Sequence, residues 1–199
     1  HRVLTNTLGA LIFFTSLIAF AQDGNSDGEW PSYAADAGST KYTSLSQIDG
    51  SNFAGLEIAW RWQSIDGELD FEALLGLDAE VGFGRLQATP LMIDGVLYLL
   101  TALNQVVALD AVSGEELWRY DPEVYMSGVS NSPLGFHHRG VAWWSDGSES
   151  RVLMTTNDGF IISLNAQTGE LDTDFAGGRI DMTNDIPRAE RDLLDYTGA

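Results

Sequence analysis

One period governs the second half of the chain. Thr101, Leu109, Ala111, Gly114 and Glu115 recur as Thr156, Leu164, Ala166, Gly169 and Glu170, each 55 residues on and without a gap. Two matching pairs of apolar runs surround these positions, at 96–101 with 106–110 and at 152–156 with 160–165. They are short and rich in Val, Ile, Leu and Thr, which suits strands. They are apolar at odd and even positions alike, as in sheets covered on both faces. Tight links, Ala102 to Gln105 and Asn157-Asp158-Gly159, make each pair an antiparallel hairpin. No helix-length amphipathic segment separates the strands, which argues against a parallel βαβ sheet. An all-β repeat of roughly 40–50 residues is the mark of propeller blades, each a four-stranded sheet that needs neighbours to bury its faces. The expected fold is therefore all-β, a partial β-propeller of about two four-stranded blades belonging to a larger ring.

A second registration concerns the axis of that ring. Gln87 stands seven residues before Asp94-Gly95, and Arg139 stands seven before Asp146-Gly147. Residues 88–93 and 140–145 are then equivalent first strands of adjacent blades. First strands are innermost, so Gln87 and Arg139 are expected near the mouth of the central channel. Before residue 86 the pattern differs. Residues 30–48 read as an extended lead-in, 56–62 as a strand, and 68–82 as a short helix or a loop. Pro187 opens one or two helical turns over 187–196.

The N-terminus has another logic. Residues 8–21 are almost wholly apolar, Arg2 precedes them, and Ala19-Phe20-Ala21 is a small-x-small end. This is the pattern of a secretory signal peptide, and it is shorter than the ~20 residues of a spanning helix. The expected organisation is a signal peptide at 1–21, a lead-in and entry strand at 22–85, and incomplete propeller repeats at 86–199. The destination is outside the cytoplasm.

Composition removes several function classes. There are 29 acidic against 10 basic residues, a net charge of −19, which excludes binding to a nucleic-acid backbone. The absence of cysteine excludes disulfides, thiolate metal sites and cysteine nucleophiles. Asp70, Glu72, Asp78 and Glu80 lack the spacing of a Ca²⁺ loop and read as a solvated face; Asp172 and Asp174 read as a turn. His137 and His138 are adjacent, so they point to opposite sides of any strand, and they read as surface or loop residues.

The strongest motif runs from Ala108 through Asp110, Ser113 and Gly114 to Trp118. It is a strand end, a turn closed by Asp110 and Gly114, and a new strand whose Trp118 offers a flat packing surface. It resembles the tryptophan-docking motif of the quinoprotein dehydrogenases, with Ser113 in place of Thr. In the second copy Ser163, Asn165 and Thr173 replace Ala, Asp and Trp. The segment Trp30-Pro31-Ser32-Tyr33, residues 38–45, Gln47-Ile48 and 52–60 resemble the opening of the pyrroloquinoline quinone (PQQ)-dependent alcohol and glucose dehydrogenases. Residues 87–98, 139–144 and 157–169 continue that likeness in order.

The resemblance implies an eight-bladed periplasmic propeller, with attachment to the membrane in some members. It implies PQQ on the axis beside Ca²⁺, which polarises the quinone carbonyl, while an Asp takes the hydroxyl proton of an alcohol or aldose sugar. Hydride passes to PQQ and electrons leave to a quinone or cytochrome c. Arg139 matches an arginine that contacts PQQ, and its forked donors suit a tricarboxylate. Gln87 matches a position where many members place Glu, and its amide donates to a carboxylate instead. The catalytic base and Ca²⁺ ligands are expected beyond Ala199, so no catalytic or metal residue is assigned within 1–199. Two features depart from subgroups: there is no adjacent cysteine pair, and Trp144 stands where membrane glucose dehydrogenases carry His. A different class of reading is a non-catalytic scaffold of PQQ-like repeats for protein interaction at the outer membrane. It needs the docking turns, but not the 30–48 lead-in or the Arg139 segment. A small β-sandwich binding module would make the 55-residue period an accident.

Overall fold

Both repeats form sheets at the places the period sets. The computed structural model describes residues 28–36, 38–70, 86–127, 136 and 138–184. The expected signal peptide, most of the 68–82 segment and the 187–196 turns lie outside those residues. The first sheet has the order β1 (Leu91–Ile93), β2 (Val96–Leu100), β3 (Val106–Asp110), β4 (Glu116–Tyr120). The second has the order β5 (Ala142–Ser145), β6 (Ser150–Thr155), β7 (Phe160–Asn165), β8 (Arg179–Asp181). Every neighbour pair is antiparallel. Among the described residues the only helical elements are single 3-10 turns, and no helix is long and apolar enough to cross a membrane.

Several of the repeated positions recur where a loop is closed. Thr101 donates its backbone N–H to Gln105 O (2.8 Å), and its hydroxyl oxygen accepts the Gln105 N–H (3.2 Å). Thr156 does the same with Phe160, at 2.9 and 3.0 Å. In the next turn Asp110 Oδ1 accepts from the N–H groups of Val112 (3.0 Å) and Ser113 (2.7 Å). These bonds hold the Asp110 carboxyl below its ordinary range. Asn165 Oδ1 accepts equivalently from Gln167 (2.9 Å) and Thr168 (3.1 Å), so Asn replaces Asp without loss of the turn.

The docking motif explains the stacking. Gly169 has φ 73°, and a Cβ there would lie 2.5 Å from Trp118 Cε3. Trp118 therefore rests flat on the glycine, and its Nε1–H donates to Ala166 O at 3.0 Å. Tyr98 donates to the same carbonyl (3.2 Å), and burial pushes its hydroxyl up to about 12. Leu91, Leu100, Val106 and Ala108 of the first sheet meet Val152, Met154, Ile162 and Leu164 of the second in one core.

Trp60 repeats the device one joint earlier. It covers Gly114, where an added Cβ would collide with Trp60 Cδ2, and donates to Ala111 O at 3.2 Å. With Trp62 it buries the other face of the first sheet over Leu99, Val107 and Leu109. The expected strand at 56–62 is not one in the structure: no described residue forms a ladder with it. Strand geometry needs a partner, whereas docking needs only the tryptophan. In the second sheet the chain detours through 173–178 before pairing resumes at Arg179↔Ile162, the counterpart of Arg119↔Val107. That detour occupies the place a docking tryptophan would take.

Candidate functional site

The lead-in brings a separate segment against the second sheet. Trp30 N–H donates to Met92 O (2.7 Å) and Met92 N–H to Trp30 O (3.1 Å), which ties the lead-in to the free edge of β1. Pro31, Ser32 and Tyr33 then complete a cavity of about 570 Å³. Tyr33, Arg139, Trp143, Met154, Thr155 and Ile161 give it its chemistry. The volume lies within the ~300–1,000 Å³ of small-ligand clefts. Apolar and aromatic surface dominates the wall, and among the described residues Arg139 is the only charged one lining it.

Arg139 sits just ahead of β5 and is exposed. Among the described residues no carboxylate pairs with it. The contrast with Arg151 is informative. Arg151 binds Asp172 at 2.5 Å and Glu149 at 3.1 Å, and lies 4.8 Å over the Trp144 ring. The neighbouring hollow of about 210 Å³ is therefore an acidic surface with its cation already neutralised. Arg139 keeps its donors and charge available. A flat aromatic anion fits this chemistry, with its ring on Trp143 or Tyr33 and a carboxylate on the guanidinium. Gln87 stands exposed ahead of β1 and does not line the cavity. The two register-matched residues are thus not brought together there.

His138 differs from its expected surface role. It is 1% exposed, and its Nε2 lies 2.7 Å from Asn157 Oδ1. Neighbouring side chains point to opposite sides only in a strand, and residue 138 precedes β5 in non-strand backbone and turns inward. His137 lies outside the described residues. Asp66 was also not singled out by sequence, although Ser64 and Asp66 carry a local turn signal. Its Oδ1 accepts the Thr101 hydroxyl (2.9 Å) and its Oδ2 accepts the Leu103 N–H (3.2 Å). Burial raises its pKa, and the bonds from Thr101 and Leu103 only partly oppose the rise.

Folded Asp66 binds its proton more tightly than the unfolded chain does, so this group's contribution to stability falls as pH rises through the window just above the ordinary carboxylate range. Asp66→Asn should remove that component. Denaturant midpoints taken from about pH 4 to neutrality should show wild type losing stability relative to the variant. A constant difference would contradict the effect.

Among the described residues no three His, Asp or Glu side chains gather as a metal site. Of the acids at 70–80, only Asp70 lies among the described residues.

Comparison with known proteins decides the family. Residues 30–199 match the PQQ family described as the glucose/ethanol/alcohol dehydrogenase β-propeller domain. The chain belongs to the PQQ-dependent dehydrogenase family. It is similar to quinohemoprotein alcohol dehydrogenase ADH IIB of Pseudomonas putida, 36% identical over 84% of this chain and 21% of the relative. It is also similar to the dehydrogenase subunit of a quinone-linked alcohol dehydrogenase of Gluconobacter oxydans, 31% identical over 84% of this chain and 21% of that relative. In three dimensions it superposes on quinohemoprotein alcohol dehydrogenase from Comamonas testosteroni with a TM-score of 0.64 and 24% identity. That match covers 89% of this chain and 22% of the other. The chain spans about a fifth of these quinoproteins' length. The two sheets are thus blades of a PQQ-type propeller.

Proposed function

We propose that the whole protein is a periplasmic PQQ-dependent dehydrogenase that oxidises an alcohol or an aldose sugar. Family membership supports the reaction class. The observation that carries the cofactor reading is Arg139, which lines an aromatic cavity with no acidic partner among the described residues, in a protein of net charge −19. When bound, PQQ supplies the two-electron acceptor for the hydride. The chain's own part is to hold it. Arg139 binds a carboxylate or quinone oxygen through paired N–H donors. Trp143 and Tyr33 cover the ring and exclude water from it. Gln87 offers an accessible amide from the equivalent place ahead of β1.

In this reading residues 1–21 export the protein, with membrane association as a further attachment. Electrons leave to a quinone or to cytochrome c. Ca²⁺ is held by residues outside those described, as is the catalytic base. Full-length protein titrated with PQQ in the presence of Ca²⁺ should saturate by calorimetry and then reduce a dye acceptor with an alcohol or an aldose. Failure to bind PQQ would overturn the reading. Binding without turnover on either substrate class would leave a cofactor-carrying scaffold in its place.

A further inference from the structure

Arg139 has no ion pair among the described residues to hold it, so its place is set by the backbone on either side. Val141 is 7% exposed and packs into the shared core, which anchors one side. The other anchor is His138. Its Nε2 meets Asn157 Oδ1, a carbonyl-type oxygen that only accepts, so the ring donates there. The same oxygen accepts from Asn104 Nδ2 at 3.0 Å. Asn157 N–H in turn donates to Asn104 Oδ1 at 2.8 Å. Asn104 is fully buried, in the turn between β2 and β3, at φ 67°, and also donates to Ala102 O at 3.2 Å. Asn157 lies in the turn between β6 and β7. Three side chains thus tie the hairpin turns of both sheets to the residue that precedes Arg139.

We infer that His138 is a positioning residue for Arg139, with the Asn157–Asn104 pair fixing the backbone from which the guanidinium enters the cavity. This rests on the reading of the cavity as the PQQ site. A forked donor discriminates only when its plane is held, and in metal sites the groups that orient the direct ligands typically change affinity by about 10–100-fold, the scale taken for this site. Neither turn touches the ligand in this arrangement, yet both set the angle at which Arg139 presents its donors.

The test is a double-variant cycle in full-length protein, read by PQQ calorimetry with thermal melting as the control for folding. His138→Leu should weaken PQQ binding by about tenfold or more. His138→Gln, whose amide nitrogen takes the place of the ring Nε2 donor, should restore binding. In the Arg139→Ala background His138→Leu should add no further loss, because there is no guanidinium left to misplace. If His138→Leu does not fold, Asn157→Ala removes the acceptor and carries the same cycle. Unchanged affinity in a folded single variant, or an equal loss in both backgrounds, overturns the positioning role while wild-type binding preserves the cofactor reading. Wild-type protein that binds no PQQ overturns both.

Discussion

Replacing Gly169 with valine is expected to break the seating of the first sheet on the second. Two costs combine. The backbone at φ 73° disfavours a β-branched residue, at about 1–2 kcal/mol. The new Cβ would also sit 2.5 Å from Trp118 Cε3 and 2.7 Å from Cδ2. Trp118 cannot yield cheaply, because its Nε1–H bonds Ala166 O and its ring lies 5.9 Å from that of Tyr98. Displacing the indole forfeits much of its burial, which for large aromatic truncations costs about 3–5 kcal/mol. The sum approaches the ~5–15 kcal/mol margin of an ordinary domain. Gly95→Ala is the control. It shares a positive φ of 78°, but its Cβ would meet nothing within 4 Å, so it should cost only about 1 kcal/mol. Denaturant midpoints of the two variants in full-length protein compare the effects directly. Equal midpoints would reject docking as the source of the Gly169 requirement.

The second large effect is on binding and leaves the fold intact. Arg139→Ala should weaken PQQ binding by roughly 10–100-fold, since a hydrogen bond to a charged group contributes about 1.5–3 kcal/mol. Stability should stay within about 0.5 kcal/mol of wild type, because the residue is exposed and has no ion pair among the described residues. Arg139→Lys should fall between, keeping the charge but losing the planar fork. The wild-type affinity should also depend more steeply on salt than that of Arg139→Ala. Equal affinity for wild type and Arg139→Ala would remove this residue from the site.

The blades were legible because their constraints are local and repeated. Thr101 and Thr156 each close one hairpin, and Asp110 and Asn165 each close one turn, so a single offset exposed both copies. Trp118 was legible as a docking residue. Trp60 was missed in that role because Leu56 stands four residues before it, where Gly114 precedes Trp118. Arg139 could be placed by register with Asp146-Gly147. The cavity it lines could not, since Tyr33 arrives from more than 100 residues earlier in sequence. The His138–Asn157–Asn104 network is hidden for the same reason: its members stand 19 and 53 residues apart. Asn165 looked like decay of the motif, yet its side-chain oxygen accepts from the same two backbone N–H positions as that of Asp110.

The detour at 173–178 has a mechanical meaning. Two successive joints are wedged by an indole against a glycine, and where the third wedge would stand the chain carries Thr173 and a loop. A stack held by unequal wedges opens first at its weakest seam. Amide exchange should therefore run fastest in β8 and the 173–178 loop, and slowest in β3, whose residues Val106 to Leu109 are sealed on both sides. Heat, denaturant or tension applied to the ring would find its give at the outer side of the second blade.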